Sequence, residues 1–278
     1  MNSLTHTAYP RHTPSYSLRR VGVLVLRYWY LLRGSWPRLL ELAYWPAVQM
    51  TMWGFLQVFL MKNSGFFAQA GGILLGGVIL WDILFRGQIG LAICFFEEMW
   101  SRNLGHLLVS PLRPIEFVAS LMLISLIRTV IGLFPATLLA IWFFGFSVYD
   151  LGFALIAFFF NLIVFGWALG LVVCGIVLRH GMGAESLAWA VIFIFLPLCG
   201  VYYPIEIMPE AIQTIAHLVP PTYAFEGMLS VLMNHDFDPA LMIKAALLNV
   251  VYLGAGIFLF LSFLRAARKR GTLLHIGE

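Results

Sequence analysis

Residues 151–178 read LGFALIAFFFNLIVFGWALGLVVCGIVL, 28 residues without one charged side chain. A helix needs about 20 apolar residues to cross the roughly 30 Å hydrocarbon layer of a bilayer, and this run exceeds that length. Water cannot solvate such a surface, whereas in lipid a helix satisfies its own backbone N–H and C=O groups. The run predicts a transmembrane helix, and the rest of the chain falls into place around it.

On the amino-terminal side, residues 39–61, 71–95 and 115–144 form comparable apolar runs, and on the carboxy-terminal side residues 184–203 and 241–264 do the same. The expectation is an all-α polytopic membrane protein with six transmembrane helices between residues 39 and 265. GFSVYD (145–150) and RHGMG (179–183) punctuate the joints with glycine and charge. Composition agrees. The chain of 278 residues is 61% hydrophobic and 11% charged, with mean hydropathy +0.90, against about 45–50% and about 25% for soluble domains. Cys94, Cys174 and Cys199 lie in apolar stretches and read as packing thiols, without disulfide or zinc spacing.

Five segments do not span. Residues 1–16, polar and holding Pro10 and Pro14, lack the apolar core of a secretory signal and read as a retained cytoplasmic tail. Residues 17–38 interrupt apolar residues with Arg19, Arg20, Arg27 and Arg33 and place Tyr28, Trp29, Tyr30 and Trp36 among them. This is the pattern of an interfacial helix, serving either as a mechanical elbow or as a plain anchor. Residues 96–114, FEEMWSRNLGHLLVSPLRP, read as a charged loop with a short amphipathic helix. Residues 204–240 are broken by Pro204, Pro209, Pro220, Pro221 and Pro239 yet remain apolar, which fits half-helices dipping into the outer leaflet. Residues 266–278 form a basic cytoplasmic tail.

Lysine and arginine set the orientation. Thirteen of the 17 fall on the side of the amino terminus, only Lys62 and Lys244 on the other, and Arg86 and Arg128 within spans. The positive-inside rule places both termini in the cytoplasm. The pI of about 9.1 is therefore a signal of topology and of anionic lipid, and no interleaved basic and aromatic groove argues for nucleic acid.

Catalytic signatures are missing. GGILLGG (71–77) lacks the Lys and Ser/Thr of a phosphate-binding loop and reads as helix-packing glycine. The sequence holds neither H-E-x-x-H nor G-x-S-x-G, and its seven histidines are scattered, so no catalytic residue and no metal ligand is assigned. Asp82 and Arg86 sit one helical turn apart and read as a salt bridge, with a substrate contact as the alternative. Arg128 has no partner in its own turn; it either meets an anionic group or bonds within the bundle.

The order of these features resembles the membrane subunit of a type-2 ABC exporter. Two motifs carry the resemblance: MWSRNLGHLLVSPL (99–112), similar to the family's coupling segment, and YYPIEIMP (202–209) leading to LVPPTYA (218–224), similar to its outer re-entrant helices. SWPRLLELAYWP (35–46) is further similar to the polysaccharide and lipo-oligosaccharide export permeases, while outer helices with Glu206, Glu210 and Glu226 also occur on drug exporters of the class.

The resemblance implies a permease that binds no cofactor itself. It implies a second permease copy, most simply a homodimer, and two separate ATPase subunits that bind ATP and Mg, all at a bacterial-type inner membrane. Glu97, Glu98, Arg102, Gly105, His106, Pro111 and Pro114 would then meet the ATPase surface or pass on its closure; the plain alternative is a solvated loop. Asp82, Arg86, Arg128, Trp53, Tyr202 and Tyr203 become pathway candidates for an amphipathic, lipid-linked or glycan-type substrate or a drug, with packing as the alternative for the aromatics. Two other classes stay open: an ion-coupled secondary transporter, which needs a protonatable relay, and an intramembrane enzyme, which needs clustered catalytic groups.

Overall fold

The computed structural model describes residues 14–63 and 72–270. The expectations for residues 1–13, 64–71 and 271–278 lie outside the described residues. Every regular element among the described residues is helical. The chain runs α1 (Pro14–Arg33), α2 (Trp36–Asn63), α3 (Ile73–Trp100), α4 (Leu104–Val109), α5 (Pro114–Phe144), α6 (Phe153–His180), α7 (Leu187–Leu198), α8 (Glu210–Ala216), α9 (Pro220–Asn234) and α10 (Pro239–Arg270), with short 3-10 turns between some of them.

Four helices, α3, α5, α6 and α10, are long and apolar enough to cross a membrane. The chain is thus a multi-helix membrane protein by length and composition. Helix α2 has the length, 28 residues or about 42 Å, but carries Arg38, Glu41, Gln49, Gln57 and Lys62 among its apolar residues. Helix α7 is only 12 residues long, against the 20 expected at 184–203. Pro197 lies in its last turn, and Gly200 at φ +66° reverses the chain beyond it, a conformation that glycine adopts without steric cost.

Several boundaries differ from the sequence reading for physical reasons. Helix α3 continues to Trp100 instead of ending near 95, because the carboxylates of Glu97 and Glu98 find cationic partners and need not leave the helix for water. The amino-terminal helix stops at Arg33, so Trp36, Pro37 and Arg38 open α2 and do not belong to the interfacial segment. Proline is tolerated in that first turn, where its missing N–H would have no helical acceptor. Helix α10 runs on through Arg265, Arg268 and Lys269, basic residues that suit the negative end of the helix dipole. Pro220 and Pro239 start α9 and α10, so the prolines of 204–240 divide that stretch into short helices.

Helix α3 is the axis of the bundle: 78% of its most apolar window is buried. Helix α6 packs along it on one side and along α10 on another. Small residues make this approach possible, as is usual where lipid removes the hydrophobic drive for helix association. A Cβ on Gly166 would lie 2.7 Å from the Leu84 carbonyl oxygen, and one on Gly256 would lie 2.8 Å from that of Ala168. Asn161 ties the α6–α10 seam, its backbone and side-chain oxygens accepting from the Asn249 amide, both at 3.0 Å, while its own amide donates to Met242 Sδ at 3.9 Å.

Gly166→Val is expected to destabilise the bundle by about 1–3 kcal/mol through overpacking. Gly254→Ala, whose new Cβ meets nothing within 4 Å, serves as the neutral control. Thermal unfolding of the detergent-solubilised protein checks the pair, and equal midpoints would contradict the α3–α6 contact.

Candidate functional site

Two assemblies hold the buried charged side chains found among the described residues. The first is at the end of the bundle that carries α4. Glu98 is 1% exposed, and Arg27 of α1 meets it with both terminal nitrogens, Nη1 on Oε1 and Nη2 on Oε2 at 3.2 Å. The Asn103 amide donates to Oε2 at 2.7 Å, and its backbone N–H donates to the Glu98 carbonyl at 2.9 Å, closing a tight turn that holds Arg102 at φ +54°. On the other side of α4, Glu116 accepts from Ser17 Oγ at 2.7 Å and from the Arg113 N–H at 2.9 Å, with Arg20 at 3.7 Å. Arg20 also donates to the Pro111 carbonyl.

Helix α1 thus grips both roots of the 96–114 segment. Its stripe of Val21, Leu24, Tyr28 and Leu32 is buried against the bundle, while Leu18, Val23 and Tyr30 stay more than half exposed. One expectation needs correction: Glu98 faces inward and is fully engaged, so it offers nothing to a docking protein. Glu97 is half-buried and pairs with Arg38 at 3.3 Å. The surface is made by Arg102, His106, Val109, Ser110 and Pro111, all exposed, with Gly105 and Pro114 half-buried behind them. Val109 is 89% exposed.

The second assembly is a cavity of about 460 Å³ between α2, α3, α5 and α7. Helix α2 contributes Arg38, Glu41, Trp45 and Gln49; α3 contributes Phe85, Arg86 and Ile93; α5 contributes Arg128; and α7 contributes Trp189 and Phe193. Arg86 Nε bonds Asp82 Oδ2 at 2.6 Å, the one-turn pair read from the sequence. Its guanidinium rests on Gly132, where a Cβ would come within 2.6 Å of Nη1. Arg128 reaches from α5 to α3, donating to Cys94 Sγ at 3.0 Å, with Glu97 Oε1 3.9 Å away.

The remaining pathway candidates lie elsewhere. Trp53 stacks on Tyr202 with ring centroids 4.4 Å apart and planes at 21°. Tyr203 donates to the Pro197 carbonyl at 2.8 Å and faces a separate cavity of about 360 Å³ with Glu206 and Glu226. Burial, then the charge of Glu206, raises the Glu226 carboxyl above its ordinary range, against the pull of His217 3.8 Å away. The structure therefore brings Arg86, Arg128 and, beside them, Asp82 into one place, and none of the aromatic candidates lines that cavity, although Tyr202 lies within reach of the Asp82 charge. Sequence reading missed Arg38, Glu41, Trp45 and Gln49, although their spacing along α2 puts them on one helical face.

Arg27→Ala would strand a buried carboxylate. The expected cost is about 2–3 kcal/mol, below the usual range for a broken buried pair because Arg27 is itself 37% exposed. Adding Glu98→Gln should recover part of that loss in thermal unfolding, and no recovery would contradict the pairing.

The profile of the ABC-2 type transporter family matches residues 22–233, a span that reaches from α1 into α9 and takes in well over half of the chain. A search of curated proteins gave no match. The α4 segment, with Glu98 and Glu116 at its roots, and most of the 204–240 stretch fall inside the matched span. The chain belongs to the ABC-2 type transporter family: it is a multi-pass membrane permease component of an ABC transporter, a partner of ABC ATPase subunits.

Proposed function

We propose that the chain is the permease of an ATP-driven exporter, paired with a second permease copy and two ATPase subunits that carry ATP and Mg. The observation that supports it best is the mounting of α4. A short helix with His106 and Val109 exposed, and Arg102 exposed in the turn before it, stands between two long helices, and both of its roots are ion-paired to α1. A push on α4 would therefore move α3, α5 and α1 together, as rigid-body transmission requires. In this reading α2 and the apolar stretch Met182–Leu198 complete six spans, and the α4 end and both termini face the cytoplasm across an inner membrane. Residues 1–16 and 266–278 flank the bundle as tails, 17–38 is the elbow region, and 204–240 sits at the outer face.

The cargo in this reading is amphipathic, lipid-linked, glycan-bearing or a drug, carried along a seam lined by α2, α3 and α7. The exposed apolar side chains of α2, among them Trp45, Phe55 and Phe59, suit a face turned to lipid, to cargo or to the second copy. An ion-coupled transporter draws less support, because Asp82 is buried and already bonded to Arg86, leaving no free acid there for a proton relay.

A tagged full-length chain purified from its native membrane in mild detergent is expected to bring down a protein with a phosphate-binding loop. Arg102→Glu and Val109→Asp should each weaken that recovery about tenfold or more, as loss of an exposed anchor does. Glu206→Gln, at the other end of the bundle, should leave it unchanged. Recovery of the chain alone from several detergents would contradict the exporter reading.

A further inference from the structure

We propose that the cavity between α2, α3, α5 and α7 is a binding site for the anionic headgroup of a single-tailed or lipid-like amphipath, with Arg128 as its principal ligand. The inference rests on the exporter reading and narrows its cargo to an anion, phosphate or carboxylate, attached to an apolar tail.

Arg128 carries the argument. It is 9% exposed, and it lies 14 residues beyond Pro114 in the sequence, about 20 Å along α5 from its α4 end. A guanidinium has five N–H donors in a rigid fork, and a buried one ordinarily has its donors occupied. Here Nη1 reaches only a thiol sulfur, at 3.0 Å, and Nε has no partner at all among the described residues. The one carboxylate within 4 Å is Glu97 at 3.9 Å, beyond hydrogen-bond distance, and Glu97 is nearer to Arg38 at 3.3 Å. Arg86 differs, since Asp82 already bonds its Nε at 2.6 Å. The cavity is thus lined by a nearly buried cation with one donor, Nε, unfilled and another held only by sulfur, and an anionic oxygen is the acceptor that engages a guanidinium most strongly.

The surroundings specify the rest of the ligand. Arg38, Arg86 and Arg128 line the cavity against a single lining carboxylate, Glu41, which is exposed at its rim. Asp82 and Glu97 beside it balance two of the arginines, so an incoming anion competes with Glu97 for Arg128. The rest of the lining is largely apolar and aromatic, with Phe85, Ile93, Trp45, Trp189 and Phe193. Trp45 and Trp189 are about half exposed at the mouth, on the outside of the bundle. A free inorganic anion would use the arginines and leave this apolar wall empty; an amphipath uses both.

Bromine-tailed dodecyl phosphate, read by tryptophan quenching of the full chain in neutral nanodiscs, tests the site, with bromine-tailed dodecyl maltoside as the neutral probe. Saturable quenching by the phosphate is expected, with affinity falling about tenfold or more in Arg128→Gln and little change for the maltoside. Glu97→Gln, which removes the competing carboxylate, should tighten phosphate binding, a gain that a misfolded protein cannot show. Unchanged affinity in both variants, or equal affinity for the two probes, would overturn the site. Full competition by millimolar inorganic phosphate would overturn the role of the tail. Co-purification of the ATPase with the same variants reads the exporter assignment separately, so either conclusion can fail without the other.

Discussion

Helix α3 passes through the middle of the bundle with Asp82, Arg86, Glu97 and Glu98 on it, and a charge buried in so apolar a medium must be paired or lose its charge. The surrounding helices are arranged to meet that requirement. Asp82 is answered within its own helix by Arg86, and Gly132 on α5 leaves the space that the Arg86 guanidinium occupies. Glu97 lies between Arg38 of α2 and Arg128 of α5, and Glu98 is closed by Arg27 of α1. Four charged residues on one helix thereby fix three neighbours, and glycine contacts with α6 complete the ring. Because the pairs of Glu97 and Glu98 join different helices, displacement of α1, α2 or α5 would disturb a charge on α3.

That arrangement bears on how a permease component would pass on the push proposed for α4. The α4 segment is short and stands at the end of α3, a few residues beyond Glu97 and Glu98. Glu116, at the start of α5, is held by α1 through Ser17 and Arg20. An amphipathic helix with an exposed apolar side thus ties both long helices together just where an ATPase subunit would push. Toward the middle of the bundle the same helices line the arginine-bearing cavity, so the Glu97–Arg128 contact lies between the end proposed for coupling and the cavity proposed for binding.

Much of this was legible in the sequence, and what was missed shares one cause. Spans 115–144 and 151–178 emerge within two residues of their observed ends, because lipid leaves no structural option but a helix. Asp82 and Arg86 pair as read, since spacing within one helix is visible in a linear string. The partners of Glu97, Glu98 and Arg128 are not visible, because each lies on another helix far along the chain. The same blindness makes Glu98 look like a surface residue: an isolated Glu-Glu reads as solvated until Arg27 is seen folded over it. For residues 184–203 hydropathy gives an apolar stretch but not where the helix stops: Pro197 and Gly200 end α7 after 12 residues. On α2 the helical face of Arg38, Glu41, Trp45 and Gln49 was present as a pattern, yet it gained meaning only when Arg128 was found opposite.

A photo-crosslinking amino acid at Val109, with Ile207 at the opposite end as its counterpart, tests the central claim most directly in intact cells. The account predicts that Val109 captures the nucleotide-binding face of a phosphate-loop ATPase and that Ile207, itself 73% exposed, captures none. Capture of the ATPase from Ile207, or from neither position in cells that carry an assembled transporter, would contradict it.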